Sequence, residues 1–147
     1  MQLVIGNKNY SSWSLRPWLL LKEFSISFAE IRISLYAGEF QKVIRKYSQA
    51  GKVPVLIDSD ILVWDSLAIC EYISEKYLSG KGWPNDLNIR AQARSCSAEM
   101  HSGFITLRNR MPMNCRATQR SVALTPELQA EIQRIDQLWS ELRSRYC

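Results

Sequence analysis

Three serine hydroxyls crowd one short stretch near the start of the sequence, Tyr10-Ser11-Ser12-Trp13-Ser14-Leu15-Arg16. It follows a brief apolar run and opens a helical pattern. Serines at a helix start meet free backbone N–H groups and the positive end of the helix dipole, a setting that favours anions. A thiolate carried by a substrate would gain there. A free thiol of pKa ~8.5 is only about 3% ionised at pH 7, and making it mostly ionised requires about 2.7 kcal/mol of preferential stabilisation. One charge-assisted O–H donor contributes roughly 1.5–3 kcal/mol, so a single serine plus the helix end is sufficient. Plain N-capping is the competing reading, and it needs only one of the three serines.

Two further constellations lie downstream. In Lys52-Val53-Pro54-Val55-Leu56 a proline heads an apolar run, so it belongs at a strand start or edge. An X-Pro bond tolerates the cis form. A cis bond would turn the Val53 N–H and C=O outward, free to pair with an extended peptide as an added strand does. The sequence leaves the isomer open. Asp65-Ser66 stands where the next helical pattern begins. Backbone N–H groups and the Ser66 hydroxyl could hold a carboxylate there while Asp65 holds an ammonium, together reading the zwitterionic end of an amino acid. An ordinary Asp cap is the competing reading.

Other chemistries find less support. The cysteines are Cys70, Cys96, Cys115 and Cys147, with no CxxC pair and no histidine cluster, so no metal site is expected. None lies near residue 11, which argues against dithiol–disulfide exchange. His101 is the only histidine, and nothing in the sequence sets it beside a nucleophile for a triad. The net charge is +5, with residues 1–78 nearly balanced and most of the excess in residues 79–147. Arginines on solvated helix faces account for that excess, and no nucleic-acid partner is expected. No run reaches the roughly 18 apolar residues of a membrane span, and the N-terminus shows no signal-peptide core, so a reducing cytoplasm with free thiols is expected.

Periodicity then supplies the elements that must position these groups. Residues 2–5 read as a short buried strand ended by Gly6. Ser12 or Ser14 can cap a helix with Leu15, Trp18, Leu19 and Lys22 on one side and Pro17 in its first turn. Residues 27–33 alternate as a strand, and residues 38–49 form a weaker helix. Residues 52–58 and 61–64 make a hairpin through Ser59-Asp60. The next helix carries Leu67, Cys70, Ile73 and Tyr77 at helical spacing.

Gly and Pro mark a linker at 79–85. One helical stripe then runs from Ile89 through Ala93, Cys96, Met100, Phe104 and Leu107 to Met111, where Pro112 ends it. A second, capped by Thr125 with Pro126 at its first position, carries Leu128, Ile132, Ile135, Trp139, Leu142 and Tyr146. A helix between the first two strands implies a parallel, right-handed crossover, and the final hairpin supplies the antiparallel edge. The expected fold is an α/β thioredoxin-like N-terminal domain, βαβαββα with a mixed sheet, followed by an incomplete all-α domain. The expected units are 1–78, a linker at 79–88, and 89–147.

The three constellations in this order resemble the cytosolic glutathione transferases. SSWSLRPW looks like the SSCxWR stretch of the zeta class, with Ser11, Ser12 and Arg16 matching, Trp13 standing for Cys and Leu15 for Trp. KVPVL resembles the family's cis-proline strand, and DSLAICEYI its (E/Q)SxAIxxYL signature, with Asp65 for the longer acid or amide. The resemblance implies a serine-type transferase with glutathione as co-substrate. It makes Ser11, with Ser12 as fallback, the donor to the glutathione sulfur, and Val53 with Pro54 the partner of the cysteinyl part. It sets Asp65 and Ser66 on the γ-glutamyl end. Lys52 would meet a glutathione carboxylate, whereas Glu39 would not suit one. Trp13, Met100, Phe104 and Arg108 would line the pocket of a small hydrophobic electrophile. A homodimer is implied by the family alone.

Two alternatives remain. One is a zeta-like glutathione-dependent isomerase, which the loss of the motif's Cys and Trp weakens. The other is a non-catalytic module of the same fold that binds a protein partner. Family members carry more helices than the two read here, so a truncated chain or a fragment is expected, with the glutathione site intact and the electrophile site incomplete.

Overall fold

The computed structural model describes residues 1–36 and 38–146. Ala37 and Cys147 lie outside the described residues. Strand β1 spans Gln2–Ile5, β2 Ala29–Arg32, β3 Val55–Asp58 and β4 Ile61–Trp64. Their order in the sheet is β2-β1-β3-β4, with β1 parallel to β2 and antiparallel to β3, and β3 antiparallel to β4. Helices α1 (Ser12–Glu23), α2 (Phe40–Ile44) and α3 (Ser66–Leu78) complete the βαβαββα order. Three helices follow: α4 (Leu87–Ser102), α5 (Ile105–Arg110) and α6 (Pro126–Tyr146).

Alternation along β1 makes two cores. Leu3 and Ile5 pack with Leu21, Leu56, Ile69, Ile73 and Leu78, the side of α1 and α3. Val4 packs on the opposite face with Ile33, Ile44 and Val55, the side of α2. The sheet is thus covered by helices on both faces, as the thioredoxin-like layout requires.

Four helical expectations shift in the structure. Helix α1 buries Ser14, Pro17 and Leu21, whereas Leu19 is exposed and Leu15 and Trp18 only half-buried. Its N-cap is Ser11, earlier than either expected cap, so Pro17 falls beyond the first turn and withholds an N–H from the helix interior. Helix α2 is shorter than 38–49. The bonds Lys46 N–H to Val43 O and Tyr47 N–H to Ile44 O span three residues, the tightened geometry that ends a helix. Helix α3 buries Ser66, Ile69, Ile73, Ser74 and Leu78, so of the expected stripe only Ile73 is buried. Leu67 and Cys70 face a cleft instead.

The expected single helix over 89–111 breaks between α4 and α5. Gly103 leaves the helix in an extended conformation and Phe104 takes φ +63°. The Glu131 carboxylate, from α6, accepts the freed N–H groups of Thr106 and Leu107 at 3.2 and 2.7 Å. Helix α6 starts as expected, with the Thr125 hydroxyl accepting the Leu128 N–H at 3.3 Å. Its buried residues are Leu128 and Leu138, while Trp139 is exposed. Among the described residues, no helix is long and apolar enough to cross a membrane.

Candidate functional site

Strand register brings the three constellations to one end of the sheet. Val4 pairs with Val55, and Val55 with Trp64. The exit of β1, the entry to β3 and the exit of β4 are therefore neighbours. The loop to Ser11 leaves the first, Val53-Pro54 enters the second, and Asp65-Ser66 leaves the third.

At the first, Ser11 caps α1, its Oγ accepting the Ser14 N–H at 3.4 Å. The Ser11 and Ser14 hydroxyl oxygens are hydrogen-bonded at 2.8 Å, and Ser14 Oγ accepts the Gly6 N–H at 3.1 Å. Ser11 and Ser14 are both buried, and Ser12 is half-buried in the first turn. The resemblance-based expectation of a serine open to a ligand therefore meets a Ser11 that is also bound to its neighbour.

At the second, the Val53-Pro54 bond is cis, the isomer the sequence left open. The sheet ladder begins at Val55 and leaves Val53 outside it. Lys52 is exposed, and Glu39 stands at the N-cap of α2, paired with Lys42 at 3.3 Å.

At the third, Asp65 caps α3, with Oδ1 accepting the Leu67 and Ala68 N–H groups at 2.8 and 3.3 Å. Its φ of +76° is a conformation that residues with a side chain rarely adopt. Strain of this kind persists where surrounding contacts enforce it, and it clusters at functional sites.

One of those contacts was invisible in the sequence. His101, in the last turn of α4, places Nε2 3.1 Å from Asp65 Oδ2. Its Nδ1 lies 3.1 Å from Arg16 Nη1. Because the guanidinium can only donate and the carboxylate accepts, Nδ1 is the acceptor and Nε2 carries the proton. Arg16 also reaches Ser66 Oγ at 3.4 Å and the Met100 carbonyl at 3.3 Å. Burial and the nearby Arg108 lower the Arg16 pKa, partly offset by Cys70 and Asp65.

Trp13 fills the middle of this cluster. The Arg16 and Arg108 guanidinium carbons lie 4.4 and 4.5 Å from its ring, and His101 meets it edge-on at 5.3 Å between centroids. Arg108 also donates to the Met100 and Gly103 carbonyls. Both arginines thus lean on neutral partners, and Asp65 is the carboxylate of the cluster.

Beside it, an open cleft of about 750 Å³ lies among α1, α3, α4 and α6. Arg16, Ser66, Cys70, Met100 and Trp139 are among its lining residues. Of the four residues expected in an electrophile pocket, Met100 lines this cleft. Trp13 and Arg108 form the stack next to it, and Phe104 is buried at the α4–α5 break. Burial pushes the Cys70 thiol up to about 11, against the opposing pull of Arg16.

Comparison with known proteins gives a consistent answer. Residues 10–76 match the family model described as "Glutathione S-transferase, N-terminal domain". Glutathione S-transferase 1 of Dianthus caryophyllus is 32% identical over 115 residues, which is 78% of this chain and 51% of that protein. A probable maleylacetoacetate isomerase of Caenorhabditis elegans is 31% identical over 98 residues, 67% of this chain and 45% of that one. The chain thus spans about half the length of these curated relatives. A solved glutathione transferase homolog from Burkholderia, with bound glutathione, superposes with a TM-score of 0.72 at 22% identity, covering 96% of this chain and 66% of that one. That likeness speaks for the fold.

Proposed function

Because the chain belongs to the glutathione S-transferase family, we propose that its sheet-end site binds glutathione and adds the thiolate to a small electrophile. The observation that carries this reading is the register that gathers Ser11, Val53 and Asp65-Ser66 at one end of the sheet. In this reading residues 1–78 form the glutathione-binding unit, 79–88 the linker and 89–147 the helical unit.

Each group then has a task. The Val53 backbone, outside the ladder, pairs with the cysteinyl segment. Ser66 and the α3 N-terminus hold the γ-glutamyl carboxylate, and Asp65 the ammonium. Lys52, with its exposed ammonium, meets the glycyl carboxylate. Ser11 donates to the sulfur, with Ser12 as the second hydroxyl in reach of the same helix end. The thiol proton leaves to solvent. The sulfur lone pair forms the new C–S bond, and the leaving group departs with the electrons of the bond that breaks. The hydroxyl and the helix end stabilise the sulfur anion before attack. The electrophile lies in the cleft by Met100, next to the Trp13–Arg108 stack. The protein acts in the cytoplasm as a homodimer.

Titration calorimetry with glutathione and turnover of 1-chloro-2,4-dinitrobenzene test the reading. Wild type binds and turns over, and Ser11→Ala loses about tenfold or more in kcat. Full kcat in both Ser11→Ala and Ser12→Ala would remove the serine role.

The likeness to the nematode protein favours a second reading, a glutathione-dependent cis–trans isomerase. Isomerisation of maleylacetoacetate without consumption of glutathione would select it over conjugation. A chain that binds no glutathione but forms a stable complex with a protein partner would select the non-catalytic module.

A further inference from the structure

The hydrogen bond between Ser11 and Ser14 has a direction that their other partners decide. The two oxygens lie 2.8 Å apart and share one proton. Ser14 is 2% exposed, and its Oγ already accepts the Gly6 N–H. If Ser14 also accepted from Ser11, its own proton would be buried, and Ser11 Oγ is the one side-chain acceptor it contacts among the described residues. Buried donors are rarely left unmade, because the interior offers no water in exchange. Donation from Ser14 to Ser11 gives the more deeply buried proton its partner: Gly6 N–H gives to Ser14, and Ser14 O–H gives to Ser11, the more exposed of the two at 6%. The Ser11 proton is then the one left uncommitted.

We propose that Ser14 is a positioning residue of the thiolate site, orienting and polarising the Ser11 hydroxyl so that its proton points to the bound sulfur. This rests on the reading of Ser11 as the sulfur's donor. Ser14 does not touch the sulfur. It occupies the Ser11 lone pairs from inside, so Ser11 is a donor when glutathione arrives. A row of donors aligned in one direction strengthens its last member, since each bond polarises the next. Gly6 stands at the exit of β1 and Ser14 in the first turn of α1, so the row is anchored at both ends by the fold.

The test is an ultraviolet titration of the thiolate of bound glutathione in wild type, Ser11→Ala, Ser14→Ala, Ser14→Thr and the double alanine variant, with folding followed by circular dichroism. Ser14→Ala is expected to raise the titration midpoint, cutting the thiolate fraction below that midpoint about threefold to tenfold, while glutathione Kd stays within about twofold. Ser14→Thr keeps the hydroxyl and restores the wild-type midpoint. In the Ser11→Ala background, Ser14→Ala shifts the midpoint no further.

A folded Ser14→Ala with the wild-type midpoint overturns the relay and leaves the Ser11 reading standing. An unmoved midpoint in Ser11→Ala, or no glutathione bound by wild type, overturns both. If Ser14→Ala does not fold, Ser14→Cys carries the test. Its S–H is a weaker donor of similar shape, so an unmoved midpoint there also overturns the relay.

Discussion

His101 Nε2 donates to Asp65 Oδ2 across 3.1 Å, joining the last turn of α4 to the cap of α3. Asp65 thus serves two masters, with Oδ1 on the helix N–H groups and Oδ2 on the imidazole. Removing the ring leaves Asp65 Oδ2 without its partner and takes one contact from the Arg16 guanidinium, which keeps Ser66 Oγ and the Met100 carbonyl. His101→Ala is expected to raise the glutathione KM about threefold to tenfold and to change kcat less than about twofold. Initial rates over a range of glutathione concentrations check this. An unchanged KM would show that Asp65 holds its geometry without the histidine.

Asp58, at the end of β3, gathers the Lys76 ammonium and the Tyr77 and Tyr72 hydroxyls at 2.7, 2.6 and 2.8 Å. The Lys76 bond first, then Tyr77, lower its pKa from 3.8 to about 2. The folded pKa lies below the unfolded one, so the unfolded chain binds the proton more readily. The stabilisation is therefore full above about pH 4 and disappears as the pH falls towards 2. Urea unfolding of wild type and Asp58→Asn should differ at pH 6 by about 1–3 kcal/mol, and the gap should close by pH 2. A gap independent of pH would mean that packing, and not charge, holds the hairpin to α3.

Thiol reactivity should rank by burial. Cys115 is exposed, whereas Cys70 is half-buried with its pKa pushed up to about 11. At pH 8 only about one Cys70 in a thousand is thiolate. Iodoacetamide followed by mass spectrometry should label Cys115 well before Cys70. Equal rates would mean that the cleft opens far enough to hydrate the thiol.

Helices α4 and α6 are clasped by a two-pronged pair, Arg134 Nε to Glu99 Oε1 at 2.6 Å and Nη2 to Oε2 at 2.9 Å. The bond lowers the Glu99 pKa and raises that of Arg134. Arg134→Glu places two carboxylates face to face and should lower Tm. The exchange Glu99→Arg/Arg134→Glu should recover part of the loss, and added salt should shrink both effects. No recovery in the exchange would mean that the fork geometry of this pair cannot be reversed.

Much of this fold was legible because its signals are local. Gly6, the Ser59-Asp60 turn, Thr125-Pro126 and the alternation of residues 27–33 each act within a few residues, so the βαβαββα succession of residues 1–78 and the start of α6 could be read in sequence. Helix faces were less legible. In α1 the pattern Leu15, Trp18, Leu19 is more apolar than Ser14, Pro17, Leu21, yet the second set is the buried one, so hydrophobicity alone points to the wrong face. The break at Gly103 depends on Glu131, a partner from another helix, so a stripe continuing to Met111 looked unbroken.

By itself the sequence determined which groups could hold the parts of a peptide-like ligand and that they stand at the starts of elements: the serines at the start of α1, Asp65-Ser66 at the start of α3, and Val53-Pro54 before β3. Only the tertiary structure decided that these starts meet at one sheet end, that Ser11 is tied to Ser14, and that His101 belongs with Asp65. The physical reason is range. Capping and periodicity are written within a few residues, whereas the partner of a buried proton or a strained carboxylate is chosen by which distant surfaces the packed core presses together.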